Sequence, residues 1–153
     1  MDTIQMAFSG SGPSEVVGEA TILGEPVAWE RPGQNRTTGT TYTPEATKAA
    51  EGRVAWGWRQ QVGPMRPDSE SGFGVSVLFC SRTWKHRDLD NMMKIILDAL
   101  TGVVWGNDKQ VTEFGRVAVR YGADVARTEI TIWRVPAQVN PKAKTPKLKG
   151  RTR

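Results

Sequence analysis

Asp88 and Asp90 stand two residues apart, Lys94 follows four residues after Asp90, and Asp108 lies beyond a short apolar run. Carboxylates gathered in one place repel one another, and a bound cation is the natural compensation. Mg²⁺ suits such a set because it takes hard oxygen ligands, a few of them carboxylates and the rest waters and phosphate oxygens. The chemistry implied is phosphodiester hydrolysis, in which the ion activates water and stabilises charge on the phosphoryl oxygens. Lys94 adds a point charge that can meet the scissile phosphate, stabilise the pentavalent state or position the water. His86 is the only histidine and Cys80 the only cysteine. One chain therefore supplies neither a Cys/His zinc site nor an internal disulfide. Oxygen ligands, Lys and Arg must carry the reaction.

The same charges admit a plainer reading. Asp90, Lys94 and Asp98 at four-residue intervals also describe an exposed helix face with ordinary ion pairs, each worth about 0.3–0.5 kcal/mol. Their setting argues the other way. Between 89 and 100, Leu89, Met92, Met93, Ile95, Ile96, Leu97, Ala99 and Leu100 cover most of the helix circumference. A narrow polar stripe on a helix otherwise apolar nearly all round is the expected form of a site.

The elements that must position these residues read as follows. Ala20 to Val27 begins with a short extended segment, and a polar loop over 33–41 leads to Thr43-Pro44. Thr43 as N-cap and Pro44 at the first helical position, with Glu45 behind them, predict a helix over 44–62. Ala46, Ala50, Val54, Trp58 and Val62 form its inner face, weakened by Gly52 and Gly57. A buried strand over 73–80 follows the break at Gly63-Pro64, and it holds Cys80 as a structural thiol. Asp88 and Asp90 lie where the loop after this strand enters the helix over 89–100. Residues 116–121 alternate strictly, and Ile130 and Ile132 alternate with Thr131 and Trp133. The short turn at Gly122-Ala123-Asp124 predicts that these two strands form an antiparallel C-terminal β-hairpin. The fold class expected is α+β, a mixed β-sheet with two helices packed on it.

With 153 residues and 38% hydrophobic content, the chain has room for one compact domain plus tails. Residues 1–17, rich in Ser, Gly and Pro, and the basic residues 135–153 read as flexible N- and C-terminal tails around a domain over 18–134. A net charge of +5 points to an anionic partner, nucleic acid or a membrane surface. The longest apolar runs fall far short of the roughly 18 residues a membrane span needs. The start of the chain lacks the pattern of a secretory signal, so a soluble, unexported protein is expected.

Arg87-Asp88-Leu89-Asp90-Asn91, Lys94, Asp98-Ala99-Leu100, Gly102-Val103-Val104-Trp105 and Asp108-Lys109-Gln110-Val111 together resemble the RusA family of Holliday junction resolvases. The likeness extends upstream to Gly24-Glu25-Pro26-Val27 and Arg31-Pro32. It implies a bacterial or phage-encoded, cytoplasmic homodimer that cuts four-way DNA junctions symmetrically with Mg²⁺, or Mn²⁺ as a substitute, in recombination and repair, with no small-molecule cofactor. Carried over by position, it makes Asp88, Asp90 and Asp108 metal ligands and Lys94 their catalytic partner. Many relatives have two adjacent aspartates at the end of the motif. Here the first is Asn107, which loads the expectation onto Asp108. Asp98 fits the pattern in a supporting role.

DNA binding needs phosphate contacts, and Arg31, Arg36, Lys85, Arg87, Arg116 and Arg120 are the candidates. Lys142, Lys144, Lys147, Lys149, Arg151 and Arg153 add sequence-independent attraction in the tail. Of six tryptophans, most are expected in the core, and Trp84 is the one placed to touch a nucleotide. His86, beside the carboxylates, is expected to be structural or exposed. Two competing readings remain: a branched-DNA-binding module without catalysis, and a different Mg²⁺ nuclease of flap or restriction type. The Glu-x-Lys signature of the latter is not evident near the carboxylates.

Overall fold

A computed structural model of the chain describes residues 15–143. β1 (Glu15–Leu23) is the first element among the described residues. A short two-stranded ribbon, β2 (Gly33–Gln34) with β3 (Thr41–Tyr42), precedes α1 (Glu45–Val62). β4 (Gly72–Cys80), α2 (Leu89–Leu100), β5 (Val111–Arg120) and β6 (Arg127–Val135) follow. The main sheet has the order β1-β6-β4-β5. β4 is parallel to β5 and antiparallel to β6, and β1 is antiparallel to β6, so the sheet is mixed. The parallel pair requires a crossover, which α2 provides.

The expected hairpin between the last two strands does not form, because β4 lies between β5 and β6. Most of β4 is buried along its whole length, and such a strand belongs in the interior of a sheet with a partner on each side. The six connecting residues, 121–126, span the two strand spacings, about 10 Å, that this order requires.

Both helices pack on one face of the sheet. Ala50, Val54 and Trp58 of α1 and Met92, Ile95 and Ile96 of α2 share a core with Ile22, Phe73, Val75, Val77, Phe79, Ile130 and Ile132. Burial of each such aliphatic or aromatic side chain contributes about 1.5–3 kcal/mol. α1 starts one residue later than the sequence suggested. Pro44 is the N-cap in an extended conformation, and no side chain caps the helix. Ala46 is exposed, while Thr47 and Gly57 join the buried face. At the N-terminus, Glu15, Val16 and Val17 belong to β1, although composition assigned them to a tail. The remainder of that tail, and the basic run from Lys144 to Arg153, lie outside the described residues. No helix among those described is long and apolar enough to cross a membrane.

Candidate active site

The carboxyl end of β4 feeds the start of α2, and local hydrogen bonding fixes that entry. Asp88 is the N-cap of α2. Its Oδ1 accepts from the backbone N–H groups of Asp90 (3.0 Å) and Asn91 (3.4 Å), satisfying donors that a helix start leaves unpaired. The preceding loop is braced from Glu25. Its carboxylate accepts from the Ser81 hydroxyl (2.8 Å), the Arg82 N–H (2.9 Å) and the Arg87 guanidinium (3.0 Å). Burial alone would raise the Glu25 pKa, but these donors and the Arg87 charge outweigh it and hold the carboxyl below its ordinary value. Arg87 also donates its backbone N–H to the Tyr121 hydroxyl, at 3.1 Å.

Beyond this entry, a groove of about 450 Å³ is lined by α2 on one side and β5 on the other. Asp90, Lys94 and Asp98 line it from three successive turns of the helix, and Asp108 joins them from the short 3₁₀ turn ahead of β5. Leu89, Met93, Leu97, Phe114 and Val117 form its apolar wall. The β4–β5 ladder shifts register between Val75 and Val77, which lets Phe114 and Val117 reach the same groove. Lys94 Nζ lies 3.4 Å from an Asp98 carboxylate oxygen and 5.0 Å from the centre of the Trp29 ring. The ammonium is thus held by an ion pair and a cation–π contact. Trp29 is itself tied to α2 by its backbone N–H, which donates to the Asn91 carbonyl at 2.9 Å.

The loop carrying Asp108 is anchored on both sides. Gly102 turns the chain out of α2 at φ +83°, a conformation glycine adopts without strain. Val103, Val104 and Trp105 then enter the core. Asn107 caps the 3₁₀ turn by accepting from the Lys109 N–H at 2.9 Å, while Gln110 Oε1 accepts from the N–H groups of Gly106 and Asn107. Gln110 Nε2 donates to the carbonyls of Asp68 and Ser71. The Asp68 carboxylate in turn is held far below its ordinary pKa, first by the Ser71 hydroxyl and then by the N–H groups of Ser71 and Glu70 and by Arg134, which together outweigh burial.

The family model for the endodeoxyribonuclease RusA matches residues 24–133, spanning both the groove and the loops that build it. The chain belongs to the RusA endodeoxyribonuclease family. No individually curated protein matches the sequence significantly.

The groove of this RusA-family chain unites three of the four residues expected to do chemistry: Asp90, Lys94 and Asp108. Asp88 does not line it, and one of its oxygens is engaged in capping α2. Among the described residues, no three acidic, His or Cys side chains converge into a metal-holding group. Asp90 to Asp98 spans about 12 Å along a helix, so the carboxylates form a line rather than a point. The donor chemistry nevertheless fits Mg²⁺, being carboxylate oxygen without thiolate or imidazole.

The expected DNA-binding residues separate. Arg31, Arg36 and Lys85 are exposed. Arg87 is half-buried in the Glu25 network. Arg116 lines a concavity on the other face of the sheet with Glu19 and Glu129, and Arg120 is exposed at the end of β5. One neighbour carried no signal in the sequence. Glu51 of α1 lies close enough to Asp98 and Lys94 to sense their charges. Burial pushes its carboxyl up from the ordinary value, Asp98 adds to the rise, and Lys94 offsets part of it.

Proposed function

We propose that this chain is a Mg²⁺-dependent endonuclease that resolves four-way DNA junctions by paired phosphodiester hydrolysis, acting as a homodimer with one groove per subunit. The observation that carries the reading is the convergence of Asp90, Lys94 and Asp108 on one apolar-walled groove in a member of an endodeoxyribonuclease family. Asp90 and Asp108, the two candidate ligands that line the groove, are the residues that would hold Mg²⁺, with water and phosphate oxygens completing its shell; Mn²⁺ suits the same ligands. When bound, Mg²⁺ supplies Lewis-acid stabilisation of phosphoryl charge and lowers the pKa of water.

The chain's own residues do the rest. Lys94 is oriented by Asp98 and Trp29, and an ammonium has three donors, so donors remain for a phosphate oxygen. The apolar wall from Leu89 to Val117 reduces solvent screening around that contact. Glu25 fixes the loop that delivers Asp88, and Gln110 fixes the turn that delivers Asp108. The engagement of Asp88 in capping favours the competing reading, a branched-DNA-binding module without catalysis.

Cleavage of a labelled four-way junction, a matched duplex and a flap, each with Mg²⁺ or with EDTA, separates the readings. Paired symmetric nicks are expected in the junction alone, and only with the metal. Binding without cutting under any divalent ion would leave the binding module as the better account. Cutting of the flap or duplex at equal rate would assign a different nuclease specificity.

A further inference from the structure

The loop 81–88 that delivers Asp88 also carries a wet indole. Trp84 is 74% exposed, although burying such a side chain contributes about 1.5–3 kcal/mol. The ring is nevertheless placed. Trp84 stacks on Tyr121 with ring centroids 6.3 Å apart and planes 27° from parallel. His86 stacks on the same tyrosine at 4.7 Å and 30°. Tyr121 is fixed in turn, because its hydroxyl accepts from the Arg87 N–H. Beneath the indole lies Gly122, at φ +70°. A Cβ there would meet the Trp84 ring at 2.9 Å, so the close seat of the indole depends on that glycine.

The surroundings of this stack are cationic. Arg82 and Lys85 flank Trp84 in the chain and Arg120 precedes Tyr121, all three exposed, against one exposed acid, Asp124, in the turn after Gly122, whereas Arg87 is neutralised by Glu25. A flat aromatic face with free cations beside it is the arrangement that holds an unpaired nucleotide, the base on the ring and the phosphate on the cation. Base pairs inside a duplex offer no free π-face, whereas opening a four-way junction unstacks the pairs at its branch point and exposes one. Trp84 precedes Asp88 by four residues, at most about 14 Å of chain, which is the rise of a few nucleotides along one strand.

We infer that the Trp84–Tyr121–His86 stack is a platform for an unstacked base at the branch point of the opened junction, seating it so that the adjacent strand enters the α2–β5 groove. The inference rests on the junction-resolving reading above. It assigns branch recognition to Trp84, distinct from the groove residues.

The test uses the full chain with Ca²⁺ in place of Mg²⁺ and a four-way junction carrying 2-aminopurine at the branch point, beside a duplex with the same label. The parent is expected to quench the branch-point fluorophore. Trp84→Ala abolishes the quench and weakens junction binding roughly 5- to 100-fold, the span expected for one lost stack, with duplex affinity unchanged. Trp84→Phe keeps most of both signals. Equal losses on junction and duplex, or junction binding and quench unaltered in Trp84→Ala, would overturn the platform while leaving the resolvase reading intact wherever the parent cuts junctions. A parent that does not prefer the junction to the duplex would overturn both.

Discussion

The two faces of the sheet both carry concavities, and the larger one is not where the candidate catalytic residues gather. On the open face, Glu19, Thr21, Ser76, Arg116, Glu129 and Thr131 surround a space of about 550 Å³. Between α2 and β5 the groove is about 450 Å³. The open-face charges come from different strands at alternate positions, as on an ordinary solvated sheet, and Glu129 has Arg127 within 3.8 Å. In the groove three charges come from successive turns of one helix, a fourth, Asp108, joins them from the 3₁₀ turn, and all stand against apolar walls. A charge beside an apolar wall is less screened and acts more strongly on a ligand. That contrast, and not volume, distinguishes a reaction site from a wet surface.

The largest expected effect breaks or upholds this comparison directly. Asp90→Asn removes a candidate ligand and a negative charge together, so cleavage should fall about 100- to 1,000-fold, the scale of losing an electrostatic stabiliser at a reaction centre. Junction binding should be retained or improved, because the loss of charge reduces repulsion of phosphate. Arg116→Ala, on the open face, should change cleavage little, with a modest weakening of binding at low salt. Single-turnover cleavage and a binding titration on the same junction check both. A catalytic loss in Arg116→Ala matching that of Asp90→Asn would remove the distinction between the faces.

The sequence discloses these features unequally, for physical reasons. α2 spans the residues expected of it, since a side-chain N-cap at Asp88 and a nearly continuous apolar surface leave no other conformation competitive. Asp90, Lys94 and Asp98 are legible together because helical spacing is local. The hairpin was misread because a short turn between alternating strands says nothing about a third strand, β4, whose own burial demands a partner on each side. Glu51 and Asp68 are silent, since each acts on the site from an element distant in sequence and has no periodic or motif signal of its own, while Glu25 stands in the upstream motif without any sign of the loop it braces. Asn107 is read more clearly in three dimensions. Its side chain is used as a cap, which gives that position a structural role beside Asp108.

A mid-sized effect tests how firmly the groove is scaffolded relative to the open face. Asp68→Ala deletes the acceptor for two loop N–H groups and for Arg134, and loosens the segment on which Gln110 holds the Asp108 turn. The expected cost is about 1–3 kcal/mol of stability, read as a fall in the urea midpoint. Glu129→Ala should stay within about 0.5 kcal/mol, as is usual for surface sites. Because the Asp68 pKa is depressed in the fold, its contribution is present above the unfolded carboxylate value and is lost as pH falls below it. The gap between the Asp68→Ala variant and the parent should therefore narrow in acid.

The smallest expected effect sharpens the comparison at Glu51. Its carboxyl is raised in the folded protein, first by burial and then by Asp98, with Lys94 opposing. The sign is opposite to that of Asp68. Below the ordinary value both folded and unfolded forms are protonated and nothing is lost. As pH rises through the unfolded value toward the raised folded one, the unfolded chain releases its proton first, and stability declines. Glu51→Gln keeps the shape and removes the titration, so the variant should be no less stable than the parent near neutral pH and should lose this decline. It should also leave Lys94 with one carboxylate neighbour fewer, strengthening its attraction for phosphate and modestly tightening junction binding. Urea melts of parent and variant from pH 4 to 7 read the first effect, and a binding titration reads the second. A variant that is less stable than the parent and shows an unchanged pH slope would place Glu51 outside the electrostatics of the groove, and α1 would then contribute only packing to it.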